Sequence, residues 1–384
     1  MNKINSEKYK KYIKRILISL FTVLTIIAIF NVLMDPYNVF GTPDFGFNRL
    51  KPDAKRQERL TKIIGLKLDK RKLDAVFVGT SRTDWPISKA HYKEVTGKNA
   101  ENMAVVGMGF DEYLELADLC VKLHPEIKKV YLGLDLYTFN KNYKDNQKHI
   151  PFDTNTHLTT QELATVLFAG DTTVSSFITL ARNTFATKDP SKMYTRMGTT
   201  HRFYNKGIKV YFDFAFRKYY EHYDNYLFNE ENYEKLRLLK YNLKKQGVDL
   251  IMFHTPGHIT DIDVIYENNM WKTFTDWKKG LTNVADVWDF YYYNYVTDSE
   301  VKPDMEYFTD AAHASDIAGK MMIETMTKSK NNGFGRLNTS KNIDKYMTQD
   351  LDNLRNWRRK NPEWIKKIQA QKGVYLKLKA EGKL

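Results

Sequence analysis

The chain has very little cysteine: Cys120 is the only one in 384 residues. A single thiol excludes a disulfide framework within the chain and a cysteine-based zinc site. His, Asp and Glu do not cluster at metal-ligand spacing either, so we predict neither a metal ion nor a cofactor. Cys120 lies in a stretch, residues 113–123, whose apolar residues have helical spacing, which indicates a buried small side chain. Stability must therefore come from an apolar core.

Net charge is lacking from the central part of the chain. The formal excess of +14 lies at the two ends: residues 1–15 have six Lys/Arg against one acidic residue, and residues 330–384 have fourteen against five. A nucleic-acid protein would carry its basic stripe on the folded domain, so we predict no nucleic-acid partner. Basic flanks favour contact with membrane surfaces, anionic wall polymers or a partner protein. A solvated helix is the alternative for the carboxyl-terminal tail.

One long run without charge stands near the amino end. Residues 16–34 read ILISLFTVLTIIAIFNVLM, and at about 1.5 Å per residue they span roughly 28 Å, close to the hydrocarbon thickness of a bilayer. Basic residues precede this run, so the positive-inside rule assigns residues 1–15 to the cytoplasm and the chain after residue 35 to the outside. A cleavable signal peptide and a buried core helix are the alternatives. Without a small-x-small cleavage site or a polar face, the run predicts a single-pass signal-anchor in the cell membrane.

After a connector over residues 35–65, short apolar runs alternate with helical patterns. The predicted strands are 73–79, 103–106, 130–134, 248–253 and 284–288, and the predicted helices are 110–125, 230–246, 262–280 and 315–328. This alternation predicts one α/β domain over residues 66–329, with a parallel sheet covered by helices on both faces. Residues 140–228 interrupt the rhythm, and an insertion of this size forms a lid, a binding surface or core packing. The basic tail, residues 330–384, has a helical pattern over about 341–372.

Two polar motifs mark the two ends of the α/β domain. Gly79-Thr-Ser81 follows the first predicted strand, and reactive groups gather at the carboxyl ends of parallel strands. Asp310-Ala-Ala-His313 precedes the last helix, where carboxylate and imidazole can meet side by side. Taken alone, Ser81 is explained as a helix cap and His313 as a surface histidine. Together the motifs predict a triad in which His313, oriented by Asp310, takes the proton of Ser81.

These motifs resemble the first and last conserved blocks of the SGNH (GDSL-like) hydrolase superfamily. Asn102-Met-Ala-Val-Val-Gly107 is similar to the second block, whose glycine amide helps form the oxyanion hole. Residues 129–135 occupy the place of the third block. The resemblance implies a three-layer, flavodoxin-like parallel sheet, and an oxyanion hole that includes the amides of Ser81 and Gly107.

The sequence departs from the superfamily pattern in two places. The third block usually supplies an asparagine amide to the oxyanion hole, and here the aligned residue is Asp135. A carboxylate cannot donate unless it is protonated, so either the amides of Ser81 and Gly107 suffice or another residue substitutes. The first block also lacks the usual aspartate before the serine. Both features resemble the membrane-anchored branch that acylates cell-surface polymers, which includes alginate and other polysaccharide O-acetyltransferases and, more distantly, the D-alanylation protein of teichoic acids.

The resemblance implies ping-pong acyl transfer through an acyl-serine at Ser81. It also implies a membrane-bound O-acyltransferase as the partner that relays the acyl group, and a polysaccharide or anionic wall polymer as acceptor. Because acetyl-CoA is cytoplasmic and the predicted site lies outside, an anchor beside the relay favours transfer over hydrolysis. A carbohydrate esterase with the same triad and a catalytically inert polymer-binding subunit are the alternatives. Arg82 and His258 are candidates for substrate contacts, although Arg82 is also explained by pairing with an acid such as Asp84.

Overall fold

The computed structural model describes residues 3–51, 58–143, 155–185, 193–195, 200–201, 216–302, 305–330 and 332–383. The chain divides into two compact units. The amino-terminal unit comprises Met1–Asp69 and Asn155–Arg196, and the sheet unit comprises Lys70–Thr154 and Met197–Leu384. The predicted insertion therefore contributes residues to both units.

Helices and strands occur in both units. In chain order they are α1 (Lys3–Met34), β1 (Leu50–Lys51), α2 (Glu58–Leu68), β2 (Ala75–Val78), α3 (Ser81–Asp84), α4 (Lys89–Thr96), β3 (Ala100–Asn102), α5 (Phe110–Leu123), β4 (Lys129–Gly133), a 3-10 helix (Leu136–Phe139), α6 (Thr160–Phe168), α7 (Gly170–Phe185), β5 (Met193–Thr195), β6 (Thr200–His201), α8 (216–222), α9 (Glu231–Lys245), β7 (Asp249–His254), α10 (Ile259–Glu267), α11 (Trp271–Thr282), β8 (Val287–Asp289), α12 (Asp316–Met326), β9 (Arg336–Asn338), α13 (Ile343–Lys360) and α14 (Pro362–Ala380).

The amino-terminal unit contains α1, against which α6 and α7 pack. Among the described residues, α1 is the one helix that is by itself long and apolar enough to cross a bilayer, over Glu7–Met34. This confirms the predicted apolar helix at the amino end. Directly after it, the buried carboxylate of Asp35 accepts hydrogen bonds from the backbone amides of Val39, Phe40 and Thr42. These bonds satisfy donors that would otherwise be buried without partners, and they fold the connector back at the end of the helix.

The sheet unit contains a six-stranded sheet in the order β3-β2-β4-β7-β8-β9. The first five strands in this order are parallel, and β9 pairs with β8 antiparallel. β2 reads AVFV and is buried at every position, as expected for a parallel strand that is covered on both faces. The structure thus confirms a mostly parallel α/β sheet.

One strand and one helix of the predicted α/β domain differ most clearly from the predictions. The strand predicted at residues 103–106 is found at β3, a few residues earlier, although the amides of Met103 and Val105 still donate to the carbonyls of Phe77 and Gly79 at 2.8 and 2.9 Å. Hydrogen bonding to β2 and the residue that follows it therefore continues beyond the end of β3. The helix predicted over 262–280 is two helices, α10 and α11, because Asn269 between them has a φ of 58°, which an α-helix does not accommodate.

The basic tail belongs to the sheet unit. It supplies β9 and then α13 and α14, where the sequence predicted one helix; Pro362, which suits a first helical turn, begins the second. Buried Asp289 on β8 holds the new edge strand: it receives Arg336 and Asn338 of β9 at 3.0 Å each, and Lys278 of α11 at 2.9 Å. Burial opposes ionisation of Asp289, but the two cations hold its pKa well below its ordinary value.

Gly319 on α12 permits a close helix contact near the carboxyl end of β2. A Cβ at this position would lie 1.7 Å from the carbonyl oxygen of Pro86, which lies between α3 and α4. Contact at this distance is impossible, so any side chain forces the backbones apart. Gly319 thus fixes how closely α12 approaches the turn that follows α3.

We predict that Gly319→Ala destabilises the protein by about 2–3 kcal/mol through this overpacking. The measurement is the unfolding midpoint of the full chain in detergent, followed by tryptophan fluorescence. Gly373→Ala on α14 is the matched control, because its methyl group would meet no atom within 4 Å among the described residues beyond the adjoining turns of its own helix. Helix propensity favours Ala there by up to about 1 kcal/mol. Equal midpoints for Gly319→Ala and the parent protein would contradict the packing argument.

Candidate active site

Ser81 begins α3, the short helix that follows the carboxyl end of β2. Thr80 is its N-cap, and the Thr80 hydroxyl accepts from the amide of Arg82 at 3.2 Å. The same hydroxyl donates to Asp135, which follows β4, at 2.6 Å. The cap thus joins the ends of two neighbouring strands. Its geometry leaves Ser81 half-buried at the carboxyl edge of the sheet.

The structure brings Ser81, His313 and Asp310 together. The Ser81 Oγ lies 2.9 Å from His313 Nε2, and His313 Nδ1 lies 2.8 Å from Asp310 Oδ2. Asp310 also accepts the backbone amides of Ala312 and His313, at 2.8 and 2.9 Å. The indole of Trp85 stacks on the imidazole, with 3.7 Å between ring centroids. These contacts together fix the position of His313 relative to the serine hydroxyl.

The charge on Asp310 determines which nitrogen of His313 carries the proton. Burial raises the pKa of Asp310, but His313 and the two backbone amides outweigh burial and lower it below its ordinary value. An ionised carboxylate only accepts hydrogen bonds, so Nδ1 of His313 must donate to it. In neutral His313 the other nitrogen, Nε2, is then free to accept the proton of Ser81. This is the arrangement that activates a serine as a nucleophile.

Arg82 points away from solvent, into a buried charge cluster. Its Nη1 lies 3.0 Å from Asp261 Oδ2, and its Nε lies 3.7 Å from Asp135 Oδ1. The carboxylates that pair with Arg82 are thus more distant in sequence than Asp84, the partner that sequence reasoning offered. The sequence analysis did not predict a role for Asp261. The feature that could have indicated one is its position as an acidic residue in the first turn of α10, just beyond the carboxyl end of β7.

Burial and pairing oppose each other in this cluster. Burial alone would lower the pKa of Arg82, but Asp261 and Asp135 hold it well above its ordinary value. Burial raises the pKa of both Asp135 and Asp261, and attraction to the guanidinium limits each rise. Asp135 therefore accepts a hydrogen bond from Thr80 and pairs with the charge of Arg82. It is the partner of a buried cation next to the turn that carries Ser81.

Gly107 lies on the loop that follows β3. Its φ of 69° is in the left-handed region that favours glycine. Two residues earlier, the amide of Val105 donates to the carbonyl of Gly79 at 2.9 Å, so this loop runs beside the turn that carries Ser81. Asn102 braces the same turn through bonds from its side-chain amide to the carbonyls of Asp84 and Ile87, at 3.1 and 2.8 Å.

His258 does not belong to the residues that line the cleft around Ser81. It is buried, its Nδ1 lies 2.8 Å from the Thr260 hydroxyl, and its Nε2 lies 2.9 Å from the carbonyl of Ser299. Burial lowers its pKa to about 4. Both ring nitrogens are therefore engaged within the protein, and the substrate contact of His258 stays a prediction.

A cleft that is open to solvent lies over the triad. It is lined by Ser81, Arg82, Tyr137, Lys218, Tyr219, His222, Asp310, Ala312 and His313. Lys218, Tyr219 and His222 come from α8. Sequence reasoning missed them because they lie in the predicted insertion, far from Ser81 in sequence and without a motif.

Two features of α8 give the cleft its character. Burial, together with Lys218 and Arg82, lowers the pKa of His222 to about 3, so this histidine is neutral at physiological pH. The Tyr219 ring lies 5.0 Å from the Arg82 guanidinium carbon. Aromatic rings with polar tips, together with the cationic side chains of Arg82 and Lys218, suit a hydroxyl-rich or anionic ligand. Within the described part of the chain, no group of His, Cys, Asp and Glu has the arrangement to hold a metal ion.

Neither the protein-family models nor the curated proteins with which the chain was compared give a match.

We predict that Arg82→Met destabilises the protein by about 3–5 kcal/mol at pH 7.5, because two buried carboxylates lose their counter-charge. The sign of the pH dependence follows from their raised pKa values. The folded state binds these protons more readily than the unfolded state, so stability falls as pH rises from about 3.8 through the folded values. Without Arg82 the pKa values of Asp135 and Asp261 in the folded protein rise further, so this pH interval widens. The loss of stability caused by Arg82→Met is therefore smaller at pH 5 than at pH 7.5.

The measurement is the unfolding midpoint of the full chain in detergent at both pH values. Lys272→Met is the control, because the Lys272 side chain is 87% exposed, and its midpoint should match that of the parent protein. A loss for Arg82→Met that is equal at the two pH values would contradict the assignment of the cluster.

Proposed function

We propose that the protein is an extracytoplasmic serine O-acyltransferase of the SGNH type. In this proposal Ser81 carries an acyl group, acetyl in the first instance, and passes it to hydroxyl groups of a cell-surface polysaccharide or wall polymer. The observation that carries the proposal is the continuous chain of contacts from Ser81 through His313 to Asp310, at 2.9 and 2.8 Å. This is the geometry of a nucleophile, its general base and the group that orients the base.

The strand order supports the assignment of a three-layer, flavodoxin-like sheet. Numbered among themselves along the chain, the five parallel strands β2, β3, β4, β7 and β8 have the order 2-1-3-4-5, which is that of flavodoxin-like sheets. In such sheets ligands bind at the carboxyl ends of the strands where the order reverses. Ser81 and Asp135 follow β2 and β4, the two strands at that point, so the cleft lies where this fold class binds its ligands.

The first half-reaction transfers the acyl group from its donor to the protein. His313 Nε2 takes the proton of Ser81 as the oxygen attacks the acyl carbonyl, and the backbone amides of Ser81 and Gly107 are the proposed donors to the oxyanion. The carbonyl re-forms when the leaving group of the acyl donor departs. His313 gives the proton to that leaving group. The product is an acyl ester on Ser81. Asp310 stabilises the imidazolium in each step and keeps its own charge.

The second half-reaction frees the serine. A hydroxyl of the acceptor gives its proton to His313 and attacks the ester, and Ser81 leaves with that proton. The aromatic and cationic lining of the cleft supports a hydroxyl-rich acceptor. Arg82 Nη2 is buried without a hydrogen-bond partner among the described atoms, and Arg82 lines the cleft. We therefore propose that Arg82 Nη2 binds an oxygen atom of the acyl donor or of the acceptor at the base of the cleft.

The anchor favours transfer over hydrolysis. The apolar span of α1 would keep the site beside a membrane-bound O-acyltransferase, which we propose as the relay for acyl groups made in the cytoplasm. A carbohydrate esterase is the second candidate, because Ser81 and His313 are only half-buried and water can reach the acyl-serine. The triad is the same in both, so only the fate of the acyl group separates them.

We predict that cells carrying Ser81→Ala in place of the parent protein lose acyl esters from a surface polymer, because no acyl-serine can form. The measurement is the ester-linked acyl content of purified surface polymers, with equal membrane levels of each protein. Ser329→Ala, at an exposed position, is the control and should retain the parent content. A rise in acyl content with Ser81→Ala would indicate the esterase, and no change in any polymer would contradict both enzymatic functions and favour an inert polymer-binding subunit.

A further inference from the structure

Asn31 is a strongly polar side chain within the apolar span, and it is completely buried. Its Nδ2 donates to the carbonyl of Leu167 at 2.8 Å and to the Thr173 hydroxyl at 3.1 Å, and the Ser176 hydroxyl donates to its Oδ1 at 2.8 Å. These partners flank the break between α6 and α7. A polar side chain inside an apolar span is costly unless it is satisfied, so these bonds hold the α6–α7 pair against α1.

The contact with α6 and α7 is confined to the end of α1. Side chains of α1 are exposed from residue 7 to residue 26, and burial begins only at residue 27. Residues 27–34 cover about 12 Å along the helix, less than half of a hydrocarbon core of about 30 Å. Although α6 and α7 taken together are long and apolar enough for a bent span, they lie against α1 only over the depth of one leaflet.

The two faces of α7 have the opposite polarity to those of a helix in a soluble domain. Its buried side chains are small and hydroxylated: Thr172, Ser175, Ser176 and Thr179. Its exposed residues include a row of apolar side chains, Val174, Phe177, Ala181 and Phe185, of which Val174, Phe177 and Phe185 are 52%, 59% and 83% exposed. The exposed polar residues Asp171, Arg182 and Thr184 flank this row. The spacing of the four apolar residues places them along one side of a helix. A soluble environment would leave this row of apolar side chains in water, which is unfavourable.

We infer that the exposed face of α7 lies among the acyl chains of the extracytoplasmic leaflet, beside the end of α1. The rings of Phe177 and Phe30 are in contact, with 4.7 Å between centroids. Phe30 lies four residues before the end of α1, about 6 Å inside it, and interfacial helices bury their apolar faces about 5–10 Å deep. The α7 face is thus continuous with side chains of α1 that face lipid, which favours lipid over a protein as its occupant. This inference depends on the membrane anchoring and is independent of the acyl-transfer chemistry.

The test places nitroxide spin labels on the full chain in phospholipid nanodiscs. Single cysteines are introduced at Phe177→Cys and, away from the contact with Phe30, at Val174→Cys, in a Cys120→Ala background. Collision of each label with oxygen, which enriches in lipid, and with a water-soluble nickel chelate reports its depth. Lys272→Cys is the aqueous reference and Phe21→Cys, on the exposed middle of α1, is the deep reference.

Labels at 174 and 177 should report oxygen-rich surroundings about 5–10 Å below the headgroups, shallower than residue 21 and shielded from nickel relative to residue 272. If they match residue 272 while residue 21 is deep, the anchor stands and the inference for α7 is wrong. Shielding from both reagents would mean that protein covers the face, which overturns the lipid assignment. A label at residue 21 that is open to nickel would overturn the anchoring, and the inference with it.

Discussion

The contact between the Asp310 carboxylate and Nδ1 of His313 is the interaction on which the candidate site depends. It makes one ring nitrogen a donor and so leaves the other as an acceptor, 2.9 Å from the Ser81 hydroxyl. The surrounding structure preserves this geometry: Trp85 covers the imidazole, and Gly319 lets α12, which follows His313, pack against the carbonyl of Pro86 just after α3. Such preorganisation matters because a displacement of about 1 Å in a reacting group costs orders of magnitude in rate.

The second constraint is the buried charge cluster next to the turn that carries Ser81. Arg82 is buried with Asp135 and Asp261 on either side, and Thr80 connects this cluster to the cap of α3. This gives a physical reason for Asp135 at the position where the superfamily pattern that the sequence resembles has an asparagine. A carboxylate compensates the charge of a buried guanidinium, and an amide cannot. The oxyanion would then depend on backbone amides, with Arg82 as an additional positive charge close to the reacting atoms.

Much of the sheet could be predicted from the sequence, because a parallel strand buried on both faces is a continuous apolar run. The strands predicted at 130–134 and 248–253 correspond to β4 and β7. The motifs at Ser81 and His313 were visible because each combines a reactive residue with a turn at an element boundary. Features that depend on contacts distant in sequence escaped prediction: the pairing of Arg82 with Asp261, the α8 side chains in the cleft, and β9 from the basic tail. The sequence alone assigns no role to Asn31, since its partners lie in the predicted insertion.

The central claim is that Ser81 forms a covalent acyl intermediate with the help of His313 and Asp310. Its most direct test is the intact mass of the full chain in detergent after brief reaction with an activated acetyl ester, with peptide mapping of the adduct. The account predicts a gain of one acetyl group, located on Ser81, that is absent from Ser81→Ala and forms at least about a thousandfold more slowly in Asp310→Asn. An adduct on another residue, or an equal rate of acetylation in Asp310→Asn, would contradict the account.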